Sequence, residues 1–246
     1  MSGALSFAGV SKSFGKRSVL REISFTVPAG TAYVLLGRSG TGKSVTLKLI
    51  CGLLKPDTGA ISVGDDDITG MDSAELIPIR KRTGFLFQNA ALFDSISVGE
   101  NVAFPLRRHS SMPGKEIRER ARGLLEKVGL GQEYDTMPSD LSGGMRKRAG
   151  LARALALEPS ILLVDEPSAG LDPVSSAEID ALLLSVKKTN HTTLVVVTHN
   201  IPSARAIADR MAFLDDGRIL AEGTASELEQ SEHRLVRDFL KSQQGG

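Results

Sequence analysis

The chain has 246 residues, 41% of them hydrophobic, and sets 30 lysines and arginines against 29 aspartates and glutamates for a formal net charge of +1. That length fits one or two domains with a sizeable core, and the charge balance excludes a global attraction to nucleic acid or to an anionic membrane, so any such contact must be local. The single cysteine, Cys51, excludes an internal disulfide framework, fits a reducing compartment and is expected to pack as a small apolar residue on a helix.

In chain order, residues 5–10 and 23–27 have the apolar content and length of strands, and the polar, glycine-containing residues 11–18 read as their connector. Phe14, the large apolar side chain of that connector, is open between core packing and stacking on a nucleotide base. Residues 31–36 form an apolar strand, and residues 45–54 have the spacing of a buried helix. Between them stands Gly37-Arg38-Ser39-Gly40-Thr41-Gly42-Lys43-Ser44, which matches G-x-x-x-x-G-K-[ST] at every fixed position. A turn at residues 55–59 leads to a short strand at 60–63. Asp65, Asp66 and Asp67 then read as a solvated turn, because neighbouring strand residues face opposite ways and the further ligands of a Ca²⁺ loop are missing.

Residues 83–87 form a buried strand that ends at Gln88. Over residues 88–148 Pro105, Pro113 and Pro138 punctuate a helix-forming stretch, with a helix expected at 115–128, and this reads as an inserted helical subdomain. Its basic clusters, Arg107-Arg108, Arg118/Arg120/Arg122 and Arg146-Lys147-Arg148, read as solvated helix faces. Ser142-Gly143-Gly144-Met145 opens a helix expected to reach residue 157. Strands at 160–164 and 193–197 flank a helix at 175–188, and residues 211–221 make a hairpin. Strands alternating with helices imply an α/β fold with a mostly parallel sheet covered on both faces. Beyond it Leu228, Leu235, Val236, Phe239 and Leu240 give one apolar helix face that covers either this subunit or a partner. Gln243 to Gly246 read as a frayed tail. No apolar run approaches the roughly 20 residues that span a bilayer, and no secretory leader is evident, so the chain is expected in the cytosol.

The chemistry starts at the glycine loop. Its main-chain N–H groups and the following helix N-terminus form a phosphate cradle continuing to Val45, in which Lys43 reaches the β- and γ-phosphates and Ser44 ligates Mg²⁺. Asp165 closes the apolar run 161–164, where an acidic side chain can hold Mg²⁺ beside Ser44. Glu166 follows and suits orienting the attacking water, and His199, at the end of another strand, can hydrogen-bond the γ-phosphate. His109, His191 and His233 have no such context and read as surface residues. Ser142, Gly143 and Gly144 present a second anion-binding helix start, although a capping role alone would also explain them.

Taken together, these motifs resemble the ATP-binding cassette ATPases over nearly the whole chain. Gly37 to Ser44 matches the Walker A loop, Gln88 the Q-loop glutamine, Leu141-Ser142-Gly143-Gly144 the signature, and Asp165 and Glu166 the Walker B aspartate and catalytic glutamate. Residues 168–172 match the D-loop and His199 the switch histidine. The resemblance implies a P-loop NTPase (RecA-like) core with an N-terminal antiparallel β-subdomain. It implies one domain, with residues 1–87 and 149–224 as nucleotide-binding core, 88–148 as helical insertion and 225–246 as C-terminal extension. It also implies ATP and Mg²⁺ as cofactors, with Phe14 on the adenine and the metal on Ser44, Gln88 and Asp165. A head-to-tail homodimer follows, each ATP lying between one subunit's Walker A and the other's Ser142 to Met145, and it drives an integral membrane permease from the cytoplasmic face.

Met145 departs from the glutamine that most transporter ATPases carry in the signature. With residues 87–95, 100–106 and 236–240, it makes the chain look like the Mce/Mla-type branch, which moves phospholipid or other lipid between bacterial membranes with Mce-type substrate-binding proteins and in some cases a small regulatory subunit. An ATPase of a polar-solute importer is the alternative within transport. The soluble cassette ATPases of DNA repair or ribosome function are the alternative outside it, against which stand the lack of a coiled-coil insertion, zinc modules and excess positive charge.

Overall fold

A computed structural model describes residues 4–242; the expected tail at Gln243 to Gly246 lies outside them. Two sheets organise the chain. The first is antiparallel, in the order β2-β1-β4-β5, from β1 (Leu5–Phe14), β2 (Arg17–Val27), β4 (Thr58–Val63) and β5 (Asp66–Asp67). The second runs β10-β9-β3-β8-β7-β6, from β3 (Ala32–Leu36), β6 (Thr83–Leu86), β7 (Ile161–Asp165), β8 (Thr193–Thr198), β9 (Arg210–Asp215) and β10 (Arg218–Gly223). Its strands β9, β3, β8, β7 and β6 are parallel, and only the edge strand β10 is antiparallel to its neighbour. This is the α/β core with an antiparallel β-subdomain that the motifs imply.

Every residue of β3, β7 and β8 is buried, which is why these strands read as continuous apolar runs without alternation. Their side chains nevertheless divide by parity. Val34, Leu36, Leu162, Val164, Leu194 and Val196 join a large cluster beneath the helices, whereas Tyr33, Leu35, Ile161, Leu163, Val195 and Val197 join a second cluster with the β-subdomain and α1 (Lys43–Ile50). Each such side chain contributes about 1.5–3 kcal/mol by leaving water, so the sheet is a rigid plate between two cores. The strand ends that carry Gly37, Asp165 and His199 are therefore fixed relative to one another.

The helices follow as α2 (Ile77–Lys81), α3 (Val98–His109), α4 (Gly114–Lys127), α5 (Gly143–Ala154), α6 (Pro173–Asn190), α7 (Ile201–Ile207), α8 (Ala225–Glu229) and α9 (Arg234–Lys241). Between β6 and β7 lie α3, α4 and α5, so the helical segment is inserted between two neighbouring parallel strands. Asn101, fully buried on α3, donates to the carbonyls of Phe93, Ile96 and Ser97 and accepts from the N–H of Phe93, which ties the loop after β6 to the insertion.

Several boundaries differ from the sequence expectation. Residues 11–18 are not a connector: β1 and β2 pair from Leu5 opposite Val27 to Phe14 opposite Arg17, with register shifts that let polar residues occupy a half-exposed strand. The first helix stops at Ile50 instead of continuing to 54, because Gly52 turns the chain at φ 64° and a Cβ there would lie 2.4 Å from Leu76. The helix expected to reach residue 157 ends at Ala154. The C-terminal apolar face packs on its own chain: Leu228, Val236 and Leu240 are buried in the larger cluster and Phe239 meets Phe213 edge-on at 4.9 Å. Cys51 is buried and unpaired, as expected of a small apolar residue.

Candidate active site

The phosphate loop hangs between β3 and α1, and its geometry demands glycine at two places. Gly37 has φ 156°, and a Cβ there would sit 2.3 Å from the carbonyl oxygen of Leu214. Gly42 has φ 108° and would meet Leu20 at 2.8 Å and the carbonyl of Val19 at 3.0 Å. The loop is thus wedged against the β-hairpin and β9, which holds its main chain in place without any ligand. Lys43 is buried and its ammonium donates to the carbonyls of Gly37 at 2.8 Å and Arg38 at 3.0 Å, across the mouth of the loop. Burial pulls its pKa below the usual lysine value, while the charges of Glu166 and Asp165 push the other way.

Two carboxylates arrive at the same place from the end of β7. Asp165 accepts the Ser44 hydroxyl proton on Oδ1 at 2.8 Å, and its own pKa is raised by burial, opposed by that hydrogen bond. Glu166 is buried, with Oε1 3.5 Å from the Lys43 ammonium and Oε2 2.9 Å from Nδ1 of His199. The main-chain N–H of His199 also donates to Oε2 at 3.2 Å. Glu166 occupies the left-handed region at φ 47°, a conformation that costs a residue with a Cβ about 1–2 kcal/mol. Its N–H is nonetheless satisfied by the carbonyl of Val197, so the strain is held by β8.

Lys43, Ser44, Glu166 and His199 share one open cleft of ≈ 530 Å³ with Phe14 and Gln88, and Asp165 stands behind its wall, bonded to Ser44. Phe14 is 47% exposed at the end of β1, with the Lys12 ammonium 5.7 Å from its ring; it is not a core residue. Ser39, Gly40, Gly42, Ser44 and Val45 also line the cleft, and Arg38 and Thr41 line an adjoining hollow with Ser39 and Gly40. The volume, the apolar platform at one end and the cation at the other suit a nucleotide. The oxygen donors of Ser44 and Asp165, already within hydrogen-bond distance of each other, suit a hard divalent cation that completes its shell with phosphate and water.

Ser142, Gly143, Gly144 and Met145 do not line the cleft. They open α5, where the Ser142 Oγ caps the helix by accepting the N–H of Met145 at 3.2 Å. Gly143 and Gly144 are close to Leu171 and Ser175 at the start of α6, and Met145 is partly buried against the larger core. His109, His191 and His233 are exposed, as expected; of the three exposed aspartates after Gly64, Asp65 lies in a turn, whereas Asp66 and Asp67 form the short edge strand β5, where Asp67 bonds Thr69 and Asp66 bonds Arg82.

In the basic cluster at residues 146–148 Arg146 is exposed and Arg148 half-buried, but Lys147 is not part of a solvated face, which corrects the sequence reading for that residue. Lys147 is buried, with its ammonium donating to the carbonyls of Glu166 at 3.1 Å, Pro167 at 2.7 Å and Ala169 at 2.7 Å. A signal existed: Lys147 stands three and four residues before the buried Gly150 and Leu151, on the same helix face. The sequence also gave no weight to Arg17 and Val19, which line the cleft, or to Arg153, whose guanidinium donates to the carbonyls of Ala90 and Ala91 at 2.6 Å each.

Comparison with known proteins agrees with this geometry. Residues 20–169 match the family model described as ABC transporter. The chain is 43% identical over its whole length to a probable ribonucleotide transport ATP-binding protein, Mkl, of Mycobacterium leprae, of which it covers 71%. It is 41% identical over 94% of its length to the intermembrane phospholipid transport system ATP-binding protein MlaF of Escherichia coli, of which it covers 86%. Against a solved dimeric ATP-binding cassette bound to ADP and Pi, it superposes with a TM-score of 0.83 at 33% identity, covering 89% of this chain and 98% of the other. With the phosphate loop, Glu166 and the histidine gathered in one nucleotide-sized cleft and Asp165 bonded to its Ser44, the chain belongs to the ABC transporter family as one of its ATP-binding, ATP-hydrolysing subunits.

Proposed function

We propose that this ATPase drives the movement of phospholipid between membranes, working as a homodimer on the cytoplasmic face of a membrane-embedded permease. The observation that carries the substrate class is the 41% identity to MlaF, a relative of nearly equal length that is named for intermembrane phospholipid transport. Ribonucleotide transport, named for the mycobacterial relative, is the second reading; this chain spans 71% of that longer protein. Among the described residues no helix is long and apolar enough to cross a membrane, which is why a permease is needed. A groove lined by Phe87, the neighbour of Gln88, and by the exposed Phe93 and Phe104 with ring centroids 5.0 Å apart, offers an apolar seat for it. Mce-type proteins and a small regulatory subunit complete the proposed assembly.

In the proposed mechanism Phe14 stacks on the base, and the main chain from Gly37 to Val45 cradles the phosphates. Lys43, screened from water, offsets the negative charge that builds on the γ-phosphate. Ser44, Asp165 and Gln88 would hold Mg²⁺, which when bound neutralises the phosphate oxygens. Glu166 orients the attacking water and takes its proton, and His199, paired with Glu166, fixes both that carboxylate and the phosphate it faces. Ser142, Gly143, Gly144 and Met145 of a second copy close the site. Co-purification with the permease in detergent, with mass spectrometry of the bound material, tests the substrate. Bound phospholipid and lipid-stimulated hydrolysis support the proposal. A lipid-free complex whose ATPase responds to ribonucleotides at the opposite face overturns it.

A further inference from the structure

We propose that Lys147 is a positioning residue for ATP hydrolysis, linking the helix that opens with Ser142 to the main chain that carries Glu166; the proposal rests on the reading of Glu166 as the residue that orients water. An ammonium has three protons to donate, and the Lys147 ammonium spends all three on carbonyls of one turn, those of Glu166, Pro167 and Ala169. That turn lies between the end of β7 and the start of α6 and has few other ties: Ala169 N–H reaches the Glu166 carbonyl at 3.2 Å and Leu171 N–H the Ser168 carbonyl at 3.2 Å. The three carbonyls converge on a buried point. Without a cation there, the Pro167 and Ala169 carbonyls would lose this donor, the Glu166 carbonyl would keep only the N–H of Ala169, and the left-handed setting of Glu166 would lose its inner support.

The position of Lys147 gives this anchor a function beyond stability. It lies on the first turns of α5, five residues after Ser142, in a helix whose opening residues Ser142 to Met145 are not among those that line the chain's own cleft. A phosphate bound at that N-terminus pulls on the same helix that grips Glu166. Occupancy at the Ser142 end is thereby transmitted, within one chain, to the carboxylate that faces the chain's own nucleotide. The link needs a donor of correct length, and an uncharged apolar side chain of similar shape cannot replace it.

The test compares Lys147→Met, Lys147→Arg and Glu166→Gln in the full chain, with turnover normalised to nucleotide-binding sites counted by titration, so that misfolded protein does not enter. The expected result is a fall in kcat of at least tenfold for Lys147→Met, an ATP dissociation constant within about threefold of wild type, and a Hill coefficient for ATP that drops toward one. Lys147→Arg, which keeps the donors, recovers most of the turnover and the cooperativity. Normalised turnover of Lys147→Met within twofold of wild type, or a loss in Lys147→Arg equal to that in Lys147→Met, overturns the proposal. If Glu166→Gln also hydrolyses ATP at the wild-type rate, the reading of Glu166 itself falls. If Glu166→Gln is inactive while Lys147→Met is not, only the link is wrong.

Discussion

One oxygen of Glu166 is held twice by His199, 2.9 Å from its Nδ1 and 3.2 Å from its main-chain N–H. A carboxylate fixed in this way points at one place in the cleft and can accept a proton there. Glu166→Gln keeps the shape and the hydrogen bond from the main chain but cannot take a proton. It is expected to retain ATP binding and to lose turnover by about 10²- to 10⁴-fold, the usual weight of a general base. Equilibrium nucleotide binding and steady-state phosphate release, measured on the same preparation, check both halves.

Ser44 and Asp165 are joined by a single hydrogen bond, so removing the hydroxyl takes one oxygen from the proposed Mg²⁺ site and leaves the Asp165 carboxylate in place. Ser44→Ala should bind ATP with nearly equal affinity in Mg²⁺ and in chelator. The wild-type chain should bind more tightly with Mg²⁺. Titration of a fluorescent ATP analogue under both conditions shows the difference.

Gly37→Ala brings a Cβ to 2.3 Å from the Leu214 carbonyl, which belongs to a strand and cannot swing aside. The expected loss is about 1–3 kcal/mol of stability, with nucleotide binding abolished because the loop must move. Urea unfolding read by circular dichroism gives the first quantity and ligand titration the second.

Arg153 secures the loop after β6, where Ala90 and Ala91 have φ 59° and 50°, two consecutive left-handed residues that carry side chains. Burial lowers the pKa of this guanidinium, and its two bonds to the loop carbonyls offset part of that cost. Arg153→Met should release the loop, costing about 1.5–3 kcal/mol for the lost charged hydrogen bonds. Limited proteolysis should then cut within residues 88–97, which the wild-type protein protects.

Burial pushes the Lys147 pKa down to about 8, against the attraction of Glu166, the charged group that faces it. A lysine lowered in the folded state binds its proton less readily there than in the unfolded chain. Below about pH 8 the folded protein therefore carries the part of the burial penalty that Glu166 and the three carbonyls do not offset, and that remainder is relieved as pH rises from about 8 toward the unfolded value of 10.5. Unfolding free energies of wild type and Lys147→Met, compared across this range, should show the wild type gaining relative to the variant with rising pH.

Most of the site was legible in the residues because its parts announce themselves locally. The phosphate loop is contiguous, and Asp165, Glu166 and His199 follow unbroken apolar strands whose ends a parallel sheet must align. What could not be read are the contacts that cross the fold. The strand character of residues 11–18 depends on pairing with β2, and polar composition alone suggested a connector. Lys147 looked like one of three consecutive surface cations, since nothing in the local sequence reveals that a turn 20 residues away turns its carbonyls toward it. Arg153 was hidden for the same reason: its acceptors lie about 60 residues earlier, on the far side of the insertion.

The absence of Ser142 to Met145 from the walls of the cleft has a consequence for inheritance. In the proposed pair, every composite site draws its phosphate loop from one gene copy and its closing turn from the other. Co-expression of a Lys43-defective allele with a Ser142-defective allele then places both lesions in one site of each mixed pair and neither in its counterpart. Two alleles that are each inactive alone should restore part of the activity when expressed together, whereas two different lesions within the phosphate loop should not.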